Sequence, residues 1–159
     1  MTAMPPNPQT TGSDPAVLTV VTRNFGTLEV RPDQIIWLNP GLLGFTRYHR
    51  YVLIEHSRES PFLWLQSLDK SDLAFVVLDP RKLLPDYQPG NLPQVMKELG
   101  VTHPEDLKVL VILTIPPDKP QEMTANLMGP VVINLRNRQG KQLVVEDPRY
   151  SHKHRVLPG

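Results

Sequence analysis

The sequence predicts a mainly β fold: a small antiparallel β-barrel-like domain with one or two short helices. Proline occupies 18 of the 159 positions, about twice its average share, and proline interrupts helix interiors. The apolar runs are short and rich in Val, Ile and Leu, and turn-forming residues separate them roughly every ten residues. Within these runs the side chains alternate with the two-residue period of a strand. We therefore expect short strands joined by tight turns.

Ten strands are expected in chain order. They are placed at residues 16–23, 26–30, 34–38, 51–56, 61–67, 73–78, 108–115, 122–128, 131–136 and 141–146. Between the first two, Asn24 and Gly26 are able to take a positive φ, and Pro40 followed by Gly41 predicts a corner after the third.

One helix is expected over residues 92–100. Pro93 suits the first turn of a helix, and Gly100 suits its C-terminal end. Apolar residues recur between them at helical spacing, at Val95, Met96 and Leu99. A second, single turn is expected around residues 103–108.

Several predicted strands are apolar on both faces. In the strand at 61–67, Phe62 and Trp64 point one way while Leu63 and Leu65 point the other, and the strand at 108–115 repeats this pattern. One face can fill a barrel, but the other requires a cover. That cover is either a part of this chain, such as the helix or a loop, or another protein.

Composition limits the class of protein. A chain of 159 residues suits one core, and 17 Lys and Arg against 16 Asp and Glu give a net charge of +1, below the strongly basic balance of a dedicated nucleic-acid binder. The absence of cysteine excludes disulfides, thiolate nucleophiles and cysteine-ligated zinc, and it fits a cytoplasmic protein. Residues 1–15 resemble neither a signal peptide nor a membrane anchor, and we expect a mobile tail before a single domain over 16–156.

Catalytic motifs are missing from the sequence. There is no phosphate-binding glycine loop and no nucleophile elbow, so we expect no enzyme, no cofactor and no metal. His152 and His154 are two residues apart but have no third ligand at a clear spacing. A hydrolase that uses His56 or His103 with a nearby carboxylate rests on residue types alone.

The segment over residues 123–145 combines two alternating strands with a basic loop. Gly129 and Pro130 break the first ladder, which predicts a bulge, an edge or a corner, and the following hairpin loop offers Asn137 and Gly140 for a left-handed φ. The loop carries three cations, Arg136, Arg138 and Lys141. They either solubilise a hairpin or contact RNA, although the loop has no aromatic residue on which a base can stack.

Two further groups of polar residues are candidates for partner binding. Asn126 and Asn134 are unusual within strands, so each either satisfies neighbouring backbone or faces a partner. The acidic residues at strand ends and near the helix are either solvated turn formers or an acidic rim for a basic partner. The acidic rim is defined as Asp72, Asp79, Asp86, Glu98, Glu105 and Asp106.

The segment at 123–145 resembles the most recognisable part of the FliW family of bacterial flagellar assembly factors. The resemblance extends in order over residues 17–156 and includes "FGTLEV", "PGLLGF", "SPFLWLQS", "DLAFVVLDP" and "LKVLVILTIP". Several motifs in register are more specific than any one of them.

The resemblance implies a mostly antiparallel β-barrel-like domain without catalytic chemistry. It also implies two protein partners, the translational regulator CsrA and flagellin, in a switch where flagellin-free FliW relieves repression by CsrA. A monomer that binds neither nucleic acid nor membrane is expected. Family members are typically acidic, whereas this chain carries +1, so we expect electrostatic steering towards CsrA to be either weaker or confined to a local patch. The candidate contacts are the acidic rim together with Phe62, Trp64, Asn126 and Asn134.

Overall fold

The computed structural model describes residues 17–55 and 57–157. The expected tail at 1–15 and His56 lie outside these residues. The strands are β1 (Leu18–Thr22), β2 (Gly26–Val30), β3 (Ile36–Leu38), β4 (Arg50–Glu55), β5 (Phe62–Ser67), β6 (Ala74–Leu78), β7 (Leu107–Thr114), β8 (Thr124–Ala125), β9 (Val131–Asn134), β10 (Gln139–Gln142) and β11 (His154–Arg155). The helix α1 spans Leu92–Leu99, and single 3₁₀ turns lie at Pro32–Gln34, Pro80–Lys82, Pro104–Asp106 and Pro120–Glu122.

Seven strands close into a barrel. Their order is β7-β6-β5-β4-β3-β10-β9, and β9 pairs back onto β7. All of these pairs are antiparallel except β3 with β10, which run parallel. The hairpin of β1 and β2 forms a separate two-stranded sheet, and β8 and β11 extend the edge of β7. The mainly β barrel predicted from the sequence is therefore confirmed.

Strands β8 and β9 are one strand broken by a bulge. Ala125 pairs with Leu113, and Val131 pairs with Leu110, so both pieces lie on the same edge of β7. The backbone N–H of Met128 donates to Asn126 Oδ1 at 3.0 Å, which turns the chain out of the ladder. The break predicted at Gly129 and Pro130 is confirmed. The strand predicted at 122–128 is wrong over most of its length, because the 3₁₀ turn at Pro120–Glu122 precedes β8 and the bulge follows it.

The strand predicted at 141–146 lies earlier, at Gln139–Gln142, because Gly140 and its neighbours pair with both β3 and β9. The left-handed residue of the hairpin is Arg138, with φ 63°, not Asn137 or Gly140. Asn137 instead accepts the N–H of Gln139 on its Oδ1 at 3.0 Å. Gly140 is required for another reason, since a Cβ there would lie 2.5 Å from the carbonyl oxygen of Val132.

The helix follows the predicted signals. Asn91 Oδ1 accepts the N–H of Gln94 at 3.1 Å, Pro93 lies in the first turn, and Gly100 ends the helix with φ 72°. The turn expected at 103–108 is the 3₁₀ turn at Pro104–Asp106. Between β1 and β2 only Gly26, not Asn24, has a positive φ.

Strands β5, β6, β7 and β9 carry apolar side chains on both faces. Leu65, Val77 and Leu110 belong to the interior cluster. Leu78, Val111 and Val132 are buried on the outer face. The alternation predicted for β5 and β7 is therefore confirmed.

Two parts of the chain cover the outer face. The hairpin cover is the β1–β2 hairpin, whose Val20 and Val30 pack on Val52 and Leu68. The helix cover is α1 with residues 83–87 and 143–150, which pack on β6, β7 and β9. Most of the apolar outer face is thus covered from within the chain. Among the residues that the structure describes, no helix combines the length and the apolar character that crossing a bilayer requires.

Candidate functional site

An apolar cavity lies between the two covers. This outer pocket is lined by Phe62, Trp64, Val76, Ile115 and Met123 and has a volume of about 180 Å³. In the sheet, Trp64 lies opposite Ile54 on one side and Val76 on the other. Ile54 packs against the hairpin cover, whereas Val76 packs against the helix cover. The outer pocket is therefore a part of the outer face that neither cover closes.

Contacts on both sides hold the pocket walls. The ring of Phe25, from the turn between β1 and β2, meets the ring of Trp64 edge-on, with centroids 5.4 Å apart and planes at 73°. This orientation is favourable for aromatic pairs and fixes one wall. On the opposite wall Ile115, which follows β7, keeps 39% of its surface exposed. The described residues of the lining are all apolar, so the pocket is suited to burying an apolar side chain of a partner.

The acidic rim does not form one continuous patch. Asp72 precedes β6 and Asp79 follows it, so a strand of about 20 Å separates them. Asp72 pairs with Lys70 at 2.6 Å, and Asp79 Oδ1 accepts the N–H of Arg81 at 2.9 Å. Asp86 and Glu105 are exposed. The remaining two members of the rim are engaged with the basic loop.

Two of the three loop cations contact acidic residues of the same chain. Lys141 Nζ lies 2.6 Å from Glu98 Oε1, and Arg136 lies 3.8 Å from Asp106. The hydrogen bond from Lys141, followed by one from Gln94, lowers the pKa of Glu98. A basic loop and part of an acidic rim, which the sequence offers as separate binding surfaces, thus neutralise each other.

The third loop cation is directed towards the protein. Arg138 is half-buried, and a terminal guanidinium nitrogen donates to the carbonyl oxygen of Gln34 at 3.3 Å. Its Nε is buried and has no hydrogen-bond partner among the described residues. This arrangement favours the interpretation of the loop as hairpin surface, because RNA binding requires cations that are available to phosphates.

Of the two unusual asparagines, Asn134 satisfies backbone inside the protein. Only 3% of its surface is exposed, its Nδ2 donates to the carbonyl oxygen of Leu99 at 2.9 Å, and its Oδ1 accepts the N–H of Arg136. It therefore fastens the end of α1 to β9. Asn126 also accepts a backbone N–H, but it remains half-buried and lines a different cavity.

Four of the five histidines lie among the described residues. His103 is exposed, His152 lines the cavity that contains Asn126, and His154 lies in β11 opposite Ala125. Within residues 17–55 and 57–157, no three His, Asp or Glu side chains gather in a way that could hold a metal ion.

Sequence reasoning identified Phe62 and Trp64 but missed three residues of the outer pocket. Val76 could have been found from the strand register, because it faces Trp64 across the β5–β6 pair. Ile115 and Met123 come from a loop whose path the alternation of apolar residues does not determine.

A model of the FliW protein family matches residues 19–156, from the first strand to the last. This chain belongs to the FliW family.

Curated relatives support the assignment over nearly their whole length. The flagellar assembly factor FliW of Leptospira biflexa is 40% identical over 140 residues, which are 88% of this chain and 92% of that protein. The FliW proteins of Thermoanaerobacter pseudethanolicus and Treponema denticola are each 39% identical, over 86% and 87% of this chain and 91% and 92% of their own. The similarity therefore extends over most of each protein and is not confined to one motif.

A solved structure shows the same fold. The crystal structure of a flagellar assembly factor FliW superimposes with a TM-score of 0.79 at 33% identity and covers 89% of this chain and 98% of its own. The barrel, the hairpin cover and the helix cover described above therefore belong to a FliW fold.

Proposed function

We propose that this FliW protein acts in bacterial flagellar assembly as a non-enzymatic, cytoplasmic regulator that binds two proteins in turn. In this proposal it binds CsrA and relieves the repression of flagellin translation, and it is withdrawn from CsrA when flagellin binds. Family membership supports the flagellar role, since the relatives carry the name flagellar assembly factor. The resemblance of its motifs to the FliW family supports the two partners.

The outer pocket is the observation that carries a protein-binding function. It is an apolar recess on a sheet face that is mostly covered, and two aromatic side chains of β5, Phe62 and Trp64, line it. Aromatic residues at the centre of an interface contribute a large share of binding energy. The pocket, whose aromatic anchors are packed on a sheet, suits a partner that inserts an apolar side chain.

Acidic residues near the helix cover complete the proposed interface with a basic partner. Asp86 and Glu105 are exposed, and no ion pair within the described residues engages either carboxylate. Asp72, Asp79, Glu98 and Asp106 remain candidates, although each has a contact within the chain. Asn126 is a candidate through its exposed side, whereas Asn134 supports the interface by holding α1.

The decisive experiment is a release assay with CsrA and a labelled flagellin leader RNA. Addition of this protein should release the RNA from CsrA, and preloading the protein with flagellin should abolish the release. By reciprocity, RNA-loaded CsrA should bind this protein more weakly than free CsrA does. RNA that stays on CsrA throughout the titration would contradict the proposed antagonism, and a shift of RNA without CsrA would instead support direct RNA binding.

Two tryptophan variants, one in the outer pocket and one outside it, test whether the pocket is part of the interface. Trp64→Ala should weaken binding of CsrA or flagellin at least tenfold in calorimetry, because an aromatic anchor is lost. Trp37→Ala is the matched control, since Trp37 is 41% exposed on β3, away from the outer pocket. Equal affinities for both variants and the wild type would remove the outer pocket from the interface.

Charge reversal tests the acidic residues. Asp86→Lys and Glu105→Lys should slow association with CsrA and reduce its salt dependence, because exposed charges act mainly through steering. These positions are preferable to Asp79, whose replacement also removes the hydrogen bond to the N–H of Arg81. Glu29→Lys, on the exposed side of β2, makes the same charge change and should leave association nearly unchanged. A uniform effect of all three reversals would indicate net charge instead of a local patch.

A further inference from the structure

A second cavity lies on the other face of the same sheet, at the mouth of the barrel. This inner pocket has a volume of about 320 Å³. Phe75 and Ile112, side chains of the interior cluster, form its apolar floor. Beyond the pairs Val77–Ile112 and Leu78–Val111 no further pairing joins β6 to β7 among the described residues, which leaves this corner of the barrel open. The inner pocket is therefore an entrance to the barrel core.

The walls of the inner pocket are polar and held in position. The N–H of Leu43 donates to Gln142 Oε1 at 2.8 Å, and Gln142 Nε2 donates to the carbonyl oxygen of Gly129 at 2.9 Å. Asn126 Oδ1 accepts the N–H of Met128, which fixes the direction of its amide. Asn126 takes part in this bond as an acceptor, and no hydrogen bond donated by its Nδ2 is found among the described residues. A fixed amide donor thus stands beside an apolar floor.

The C-terminal segment supplies a cationic rim. The N–H of Leu127 donates to the carbonyl oxygen of Ser151 at 3.0 Å, and His154 pairs with Ala125, so residues 151–154 run along β8. This path brings His152 and Lys153 to the rim of the inner pocket. Lys153 is exposed and forms no salt bridge with a carboxylate of the described residues, so its charge is available to a ligand.

We propose that the inner pocket binds the C-terminal residue of a partner polypeptide. The terminal carboxylate would face Lys153 and the Asn126 amide, and an apolar side chain on the same residue would cover Phe75 and Ile112. A chain end provides both groups within one residue, whereas an aspartate or glutamate side chain within a chain provides the carboxylate with only a short apolar stem. Charge-assisted hydrogen bonds to a carboxylate give such a site its specificity. This proposal depends on the proposed function in one respect only, namely that the ligand belongs to a partner protein.

The test uses small ligands and therefore does not depend on CsrA or flagellin. N-acetyl-leucine, which has a carboxylate and an apolar side chain, is titrated into the labelled full-length protein and followed by two-dimensional NMR. It should shift the amide signals of Asn126, Gln142 and Lys153 in a saturable way, with a dissociation constant on the order of millimolar, as expected for a ligand of this size. N-acetyl-leucinamide, which lacks only the charge, should bind at least about tenfold more weakly. N-acetyl-glutamate-α-amide distinguishes an internal acidic side chain from a chain end and should also bind more weakly.

A charge-neutralising variant assigns the effect to the pocket. Lys153→Gln should reduce the affinity for N-acetyl-leucine about tenfold and abolish its preference over the amide. Lys97→Gln, on the exposed side of α1, removes the same charge elsewhere and should change neither. Absence of saturable shifts, equal binding of the acid and the amide, stronger binding of the glutamate compound, or insensitivity to Lys153→Gln would each overturn the proposal. If CsrA release persists in the assay above while these titrations fail, the proposed function stands and the chain-end site falls.

Discussion

Both covers bury part of the apolar outer face of the barrel, but different contacts hold them in place. The helix cover combines apolar packing with buried hydrogen bonds: Tyr87 Oη donates to the carbonyl oxygen of Leu127 at 2.6 Å, and Asn134 holds the end of α1. The hairpin cover packs mainly through aliphatic side chains, with a backbone bond from the N–H of Arg23 to the carbonyl oxygen of Ser71 at 2.9 Å. Directional bonds fix the position of one cover, whereas non-directional packing determines most of the position of the other.

This difference is informative about the outer pocket, because its lining residues contact both covers. Phe25 belongs to the hairpin cover, whereas Met123 packs against the cluster beneath the helix cover. We expect the pocket to adapt to a partner mainly by movement of the hairpin, because apolar contacts tolerate small shifts that buried hydrogen bonds resist.

Truncation of one leucine beneath the helix cover and one leucine of the hairpin cover compares the packing of the two covers. Leu127→Ala, at a fully buried position beneath the helix cover, should lower the free energy of unfolding by about 2–5 kcal/mol. Leu28→Ala, at a half-buried position in the hairpin cover, should lower it by only about 1 kcal/mol. Urea unfolding measures both. Equal losses would show that the covers are equally tightly packed.

Two Tyr→Phe variants distinguish the contribution of a hydroxyl hydrogen bond to stability from that of the aromatic ring. Tyr87→Phe should lower the free energy of unfolding by about 1–3 kcal/mol, because it leaves the buried carbonyl oxygen of Leu127 without its donor. Tyr51→Phe is the matched change, since Tyr51 is equally buried but its hydroxyl has no partner among the described residues. Burial raises the pKa of Tyr51 to about 12, which is consistent with a hydroxyl that stays neutral. A neutral or stabilising effect is expected for Tyr51→Phe, and comparable losses would assign both effects to packing.

Removal of the amide of Asn134 should loosen the helix cover without a large cavity. Asn134→Ala is expected to lower the free energy of unfolding by about 1–2 kcal/mol, because the carbonyl oxygen of Leu99 and the N–H of Arg136 both lose a partner. Hydrogen exchange should then increase in α1 more than in β1. Asn137→Ala, in the exposed loop, serves as the control. If hydrogen exchange in α1 is unchanged in Asn134→Ala, Asn134 does not hold the end of α1 in place.

The smallest effect concerns the ion pair between α1 and β10. The pKa of Glu98 is lowered from its ordinary value of 4.5, chiefly by the hydrogen bond from Lys141. Since the folded-state pKa is the lower one, the stabilisation is complete above pH 4.5 and disappears as the pH falls through the folded-state pKa. The small difference in urea midpoint between the wild type and Glu98→Gln at pH 7 should therefore vanish in acid. A difference that persists at pH 2 would need a cause other than this ion pair.

Much of the barrel could be predicted because burial on two faces leaves a direct pattern in the sequence. The alternation of Phe62, Leu63, Trp64 and Leu65 predicted both an interior and a covered outer face. The positions of β8 and β10 could not be derived in this way, since they depend on closure of the barrel. A close approach of Gly140 to Val132 and a side-chain bond at Asn126 determine them, and neither leaves a periodic signal.

The candidate site was predictable only in part, because the sequence shows charges but not their partners. Glu98 and Lys141 are 43 residues apart and could be paired only once the fold was known. Likewise, the sequence singled out Asn126 and the histidines near the C-terminus separately, whereas β11 brings His152 to the same cavity as Asn126. In the outer pocket, the strand pattern predicts the position of Trp64, which lies in β5. It does not predict the position of Ile115, which lies in the loop after β7.

The parallel pairing of β3 with β10 has a consequence for how the protein is made. Trp37 finds its strand partner, Gln139, only after about a hundred further residues have left the ribosome, so β3 remains an unpaired edge on that side during most of synthesis. Such long-range pairing slows folding, since the chain entropy is lost before the contacts form. The nascent chain therefore exposes an incomplete sheet until its last third is translated, and we expect its solubility in the cell to depend on the rate at which that last third emerges.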